Sequence, residues 1–229
     1  MNKTDTTQQT PPSLHATEPF DVLDRLEQFC QWRSKKGKSQ LDYELVLSAQ
    51  RLGGPLLARI SEVIFGYPDV IRQNTDTFER FDVCFEKRHK TYKKTRPSLL
   101  RIITENQGNW KLQYNPGTGE VFFDDGDMVE LTNMSLVDAV VGFVLTDVTW
   151  EPMDLLKEQV LSQHQEEHPE QWSVFWDNDY LDRHIRIERH KTIPIFLFRS
   201  DYMPSYGVTT EIDQAIELMG PNCQLYWYG

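Results

Sequence analysis

Four short apolar runs, each closed by a turn signal, followed by a capped helix, fill Ser98 to Trp150. The breaks are Gln107-Gly108, Asn115-Pro116-Gly117 and Asp125-Gly126. Dipeptides of this kind punctuate hairpins, so the stretch predicts an antiparallel meander feeding a helix. Leu100, Ile102 and Thr104 alternate with Leu99, Arg101 and Ile103. Both faces are mixed, which suits a central strand buried on two sides. Trp110, Leu112 and Tyr114 alternate with polar residues, which suits a half-exposed strand. Val121–Phe123 and Met128–Leu131 read as a hairpin across Asp124-Asp125-Gly126-Asp127. Ser135 is placed to cap the next helix, with Asp138 three residues on in a near capping box.

The rest of the chain supplies more helices and a second group of strands. Phe20, Leu23, Leu26 and Cys30 form one helical stripe. Leu41, Leu45, Ala49 and Leu52 form another, stopped by Gly53-Gly54. Pro55 suits the first turn of a further helix that closes at Gly66-Tyr67-Pro68, so the pair reads as a helical hairpin. Thr75–His89 fits helix or strand, with helix preferred. A helix is expected over Pro152–Glu167, ended by Pro169. Ile193–Phe198 is a strong strand, with Pro194 placing its start at an edge or bulge. Tyr206–Thr209 pairs with it, Glu211–Met219 is a short helix, and Cys223–Tyr228 closes the sheet. The fold class is α+β: a mixed, mainly antiparallel sheet with helices packed against it. Residues 1–18 are Thr, Gln, Pro and Ser with little apolar content and are expected to be disordered. Residues 19–229 are expected to form a single domain.

Charge narrows the choice of partner. There are 24 Lys and Arg against 35 Asp and Glu, a formal net charge of −11. Such a chain repels nucleic acid and anionic membrane and suits a basic partner, although solubility alone also explains it. The three cysteines, Cys30, Cys84 and Cys223, form no CxxC pair, which points to reduced thiols in a cytoplasmic protein. No signal peptide or membrane span is expected.

Several groups of residues carry candidate chemistry. His164-Gln-Glu-Glu-His168 matches H-x-x-E-H, an inverted zinc-protease pattern, but Pro169 follows directly and the flanks are polar, as at an exposed helix end. Asp124, Asp125 and Asp127 lack calcium-loop spacing and fit a hairpin turn. The basic run Lys87–Arg96 is best read as a solvated loop. Asp177, Asp179 and Asp182 lie beside Trp172, Trp176 and Tyr180. That mixture fits a carboxylate hydrolase cleft, a face for a basic protein, or core aromatics with acidic turns. No catalytic residue, metal or cofactor is assigned.

The string Leu100-Arg101-Ile102-Ile103-Thr104-Glu105-Asn106-Gln107-Gly108-Asn109-Trp110 resembles a recurrent segment of the SUKH superfamily, bacterial immunity proteins related to the yeast Smi and Knr cell-wall regulators. Val121-Phe122-Phe123 and Ser135-Leu136-Val137-Asp138 continue the resemblance, and Trp176, the Ile193–Phe198 strand and the Glu211–Met219 helix are similar to longer members. The resemblance implies a non-enzymatic binding protein that neutralises a basic toxin domain, often a nuclease, by direct contact. It transfers no catalytic residue. On this expectation the partner-binding residues are Asp124, Asp125, Asp127, Trp176, Asp177 and Asp179. The alternatives are a hydrolase, metal-dependent at His164 and His168 or carboxylate-based at Asp177 and Asp182, and a regulatory scaffold. Partner identity, binding face and oligomeric state are not fixed by these residues.

Overall fold

The computed structural model describes residues 13–14, 18–71, 99–104, 110–148, 154–181, 183–201 and 204–224. The expectations for Thr75–His89, Lys87–Arg96, the Gln107-Gly108 turn, Cys84, Asp182 and the last strand residues fall outside them. The chain divides into two compact units. One is Thr17–Glu151 with Asp179–Asp182, and the other is Met1–Ala16, Pro152–Asn178 and Arg183–Gly229.

The first unit opens with α1 (Pro19–Arg33), whose Leu23, Leu26, Phe29 and Cys30 are buried. Leu23, Leu26 and Cys30 of the expected stripe face inward, whereas Phe20 is 47% exposed and Phe29 is buried in its stead. Helix α2 (Tyr43–Gly66) starts at Asp42, whose carboxylate accepts the Glu44 N–H at 3.0 Å. Gly54 breaks it, with φ 75° and ψ −167°, and Pro55 opens the second segment. The break stands where Gly-Gly-Pro put it, but the two segments meet at a kink and not as a hairpin. Arg59 of α2 ties back to α1 through Asp24 at 2.7 Å and through Glu27, which also holds Lys38 at 2.6 Å. A short α3 (Pro68–Ile71) follows. Its Asp69 accepts from the Ser34 hydroxyl and from the Lys35 and Lys36 amides, closing the turn after α1.

The meander forms a four-stranded sheet: β1 (Leu100–Thr104), β2 (Lys111–Tyr114), β3 (Val121–Asp124) and β4 (Val129–Leu131), in that order and antiparallel. The sequence placed β1 at the centre, whereas it lies at an edge of this sheet. The register shifts between Arg101 and Ile103, so Ile102 is an extra residue in the ladder. A bulge interrupts the strict alternation of faces, and Ile102 and Ile103 are both buried. The mixed pattern therefore has a local cause. Helix α4 (Leu136–Phe143) starts as expected: Ser135 Oγ accepts the Asp138 N–H at 3.1 Å and donates to its carboxylate at 2.6 Å. It runs on into a π-helical turn, Val144–Val148.

The second unit holds a five-stranded sheet of order β5-β9-β8-β7-β6, built from β5 (Asp154–Leu156), β6 (Trp172–Tyr180), β7 (Arg183–His190), β8 (Ile195–Ser200) and β9 (Tyr206–Thr209), with α5 (Glu158–Glu167) and α6 (Ile212–Met219). The expected helix over Pro152–Glu167 is corrected at its start. Asp154–Leu156 pairs with Thr209–Gly207, and this long-range pairing overrides a helical stripe. Pro194 precedes an internal strand and not an edge. Its carbonyl accepts the Thr209 hydroxyl at 3.1 Å. Leu156, Leu161, Trp172, Ile195, Leu197, Ala215 and Cys223 form one core cluster. In the expected tail, Ser13 and Leu14 are ordered instead. Leu14 is 1% exposed and its N–H donates to Phe175 O at 2.7 Å.

The α+β class is observed. The described strands form two separate sheets, and every pairing with a described register is antiparallel. No helix among the described residues is long and apolar enough to cross a membrane. Cys30 and Cys223 are both free and buried.

Candidate functional site

The β3–β4 hairpin carries exposed acidic and apolar residues within a short stretch of chain. Its register, Phe122↔Leu131, Phe123↔Glu130 and Asp124↔Val129, fixes which side chains share a face. Asp125, Asp127 and Glu130 are exposed. Met128 and Leu131 are each 57% exposed, two of the large apolar side chains that the described fold leaves in water; strand alternation puts Met128 on the face of Glu130 and Leu131 on the opposite one. Strand β4 ends the sheet order, so it is an edge strand of the described sheet.

The turn is built by its own carboxylates. Asp125 Oδ1 accepts the N–H groups of Met128 at 2.8 Å and Asp127 at 3.0 Å, and these bonds hold its carboxyl below the usual range. Gly126 takes φ +96°, the left-handed region that favours glycine. Asp124 is a correction to the sequence expectation. It is fully buried, with one oxygen accepting the Gly126 N–H at 2.9 Å and the other accepting from the Gln113 amide. It supports the turn from behind and presents nothing to a partner. Gln113, read as exposed, is 6% exposed for the same reason.

The aromatic-acidic segment is corrected as well. Trp176 is 3% exposed, and Trp172, Phe175 and Tyr180 are buried as well. Asp177 is half-buried and engaged, with His184 Nε2 at 3.0 Å and Arg186 Nη1 at 3.0 Å. Asp179 is exposed on β6. Asp182, the second carboxylate of the hydrolase alternative, lies outside the described residues. Of the six expected partner residues, Asp125 and Asp127 are brought together at one exposed turn. Met128, Glu130 and Leu131 join them there. Alternation alone does not mark those three, since Glu130 and Leu131 are consecutive and point to opposite faces; both are exposed because β4 is the last strand in the order of this sheet.

A second constellation lies at the end of α5. The His164 and His168 rings are 4.9 Å apart, and His190 is 5.9 Å from His164. Trp172 Nε1–H donates to His164 Nδ1 at 3.2 Å. An indole N–H only donates, so this bond leaves the His164 proton on Nε2. A metal ligand needs a lone pair at that atom, and the bond supplies the reverse. Among the described residues, no group of three or more His, Cys, Asp or Glu is placed to hold a metal ion. Burial, and then the nearby His168, hold the His164 pKa below the ordinary imidazole range.

No family model, curated protein or solved structure matches the chain.

Proposed function

We propose that this chain is a protein-binding module that docks a basic partner on the β3–β4 hairpin, in the manner of an immunity protein neutralising a basic toxin domain. The observation that supports the reading is the exposure of Met128 and Leu131 in the same short hairpin as exposed Asp125, Asp127 and Glu130. Stable interfaces place an apolar anchor at the centre and a polar rim around it, and this hairpin has that composition in miniature. The net charge of −11 adds long-range attraction for a basic surface. The SUKH resemblance supports the same class of function from the sequence side.

The test is titration of the full chain with the basic toxin domain encoded beside its gene. Affinity is expected to fall by at least about tenfold between roughly 50 and 500 mM salt. A paired Met128→Ser, Leu131→Ser variant is expected to lose a further tenfold or so, about 1.4 kcal/mol, with the salt dependence retained. A complex indifferent to both changes would remove the hairpin from the interface. A chain with no basic toxin neighbour that it binds would end the immunity reading.

A further inference from the structure

The α5 end of the second unit bears an open recess of about 330 Å³, lined by Val160, Gln163, His164, Glu167, His168, Gln171, Leu218 and Met219. This is the low end of the range for small-molecule sites, roughly 300–1,000 Å³. Its polar groups are fixed from behind. Trp172 claims Nδ1 of His164, so the ring offers Nε2–H. The N–H groups of Ile193 at 3.2 Å and Thr192 at 3.4 Å claim Nδ1 of His190, whose Nε2–H therefore donates to Gln171 Oε1 at 3.0 Å. That bond occupies the Gln171 oxygen and leaves its NH₂ group to act as the donor. Two part-buried relays, Trp172 to His164 and His190 to Gln171, thus each end in a donor on a residue lining the recess.

The remaining lining has two further properties. Glu167 supplies a carboxylate, already accepting from the Gln163 amide at 2.9 Å. Val160, Leu218 and Met219 supply apolar surface. A simple anion would meet Glu167, and a simple cation would meet two donors. A ligand carrying both charges on adjacent atoms, with a short aliphatic arm, satisfies all three parts. We propose that this recess binds an aliphatic α-amino acid of leucine size. Its carboxylate accepts from His164 Nε2–H and the Gln171 amide, its ammonium faces Glu167, and its side chain lies on Val160, Leu218 and Met219. His168, at the rim and 4.9 Å from His164, covers the ligand from the solvent side.

The experiment is calorimetry on the full chain with three probes: L-leucine, 4-methylpentanoate and 3-methylbutylamine. L-leucine is expected to bind with Kd below about 1 mM, and each one-charge probe at least about tenfold more weakly. Glu167→Gln, at an exposed position, is expected to weaken L-leucine about tenfold and to strengthen 4-methylpentanoate, which no longer meets a like charge. His164→Phe keeps a ring beside Trp172 but removes the donor, and is expected to weaken both carboxylate probes. No binding of L-leucine up to about 10 mM would overturn the proposal, as would equal binding of all three probes. Should His164→Phe fail to fold, the Glu167→Gln comparison decides alone. None of these variants touches the β3–β4 hairpin, so partner binding and amino-acid binding fail or stand independently.

Discussion

At His190 the surrounding backbone decides the protonation state. Two backbone N–H groups point at Nδ1 and would be repelled by a proton there. Burial, and then the charge of His164, push the pKa from 6.5 down to about 4. The unfolded chain therefore binds more protons than the folded one between those two values. The stability from keeping this ring neutral is complete above about pH 6.5 and is lost as pH falls toward 4, at up to about 1.4 kcal/mol per pH unit. Glu27 and Asp69, whose pKa values are lowered, act only below the ordinary carboxylate range, so the two effects occupy different windows. Thermal unfolding is expected to show Tm dropping steadily from pH 7 to 5. His190→Asn, whose side-chain oxygen accepts the same N–H groups, is expected to flatten that drop. An equal slope in both proteins would contradict this. The sequence does not mark His190, because its partners come from a turn and from Gln171, 19 residues away. Ser135 and Asp138 were legible because their bond closes within three residues. Asp124 was not, because its partner Gln113 lies on the adjacent strand.

At the scale of elements, local signals were read well and long-range ones poorly. The ends of α1, the break in α2, the β3–β4 hairpin, α4 and α6 all carry their own punctuation. β5 lies within a stretch that the sequence predicts as helix, and β7 carries no strand signal, because Arg183-His-Ile-Arg-Ile-Glu-Arg-His looks like a charged loop. Only pairing with β8 shows that Ile185 and Ile187 are core residues. Gly54 gives a clean test of a local signal. A Cβ there would meet nothing within 4 Å, so space is not the constraint. Its φ of 75° with ψ of −167° is a region that essentially only glycine adopts. Gly54→Ala is expected to destabilise the chain by about 1–3 kcal/mol in urea denaturation, with the slope unchanged. An unshifted midpoint would show that the kink is not held in that conformation.

Across the whole molecule, the class was legible and the arrangement was not. Alternating runs and stripes announce strands and helices, but no residue states that the meander and the later strands belong to different sheets. Charge is likewise a property of the total, and its effects belong at this scale. The β3–β4 hairpin ends the sheet order with an edge strand and exposes Met128 and Leu131, which is also the recipe for one copy pairing with another. The carboxylates of Asp125, Asp127 and Glu130 make such a meeting one of like charges. Screening them removes that protection, since the Debye length shrinks to about 3 Å at 1 M salt. Light scattering of the free protein is expected to rise with concentration at about 1 M salt and stay flat at low salt, and Leu131→Ser is expected to abolish the rise. The acidity proposed to draw a basic partner to the hairpin thus also acts as a gatekeeper, and an ageing, desalted stock is expected to keep better than a salted one.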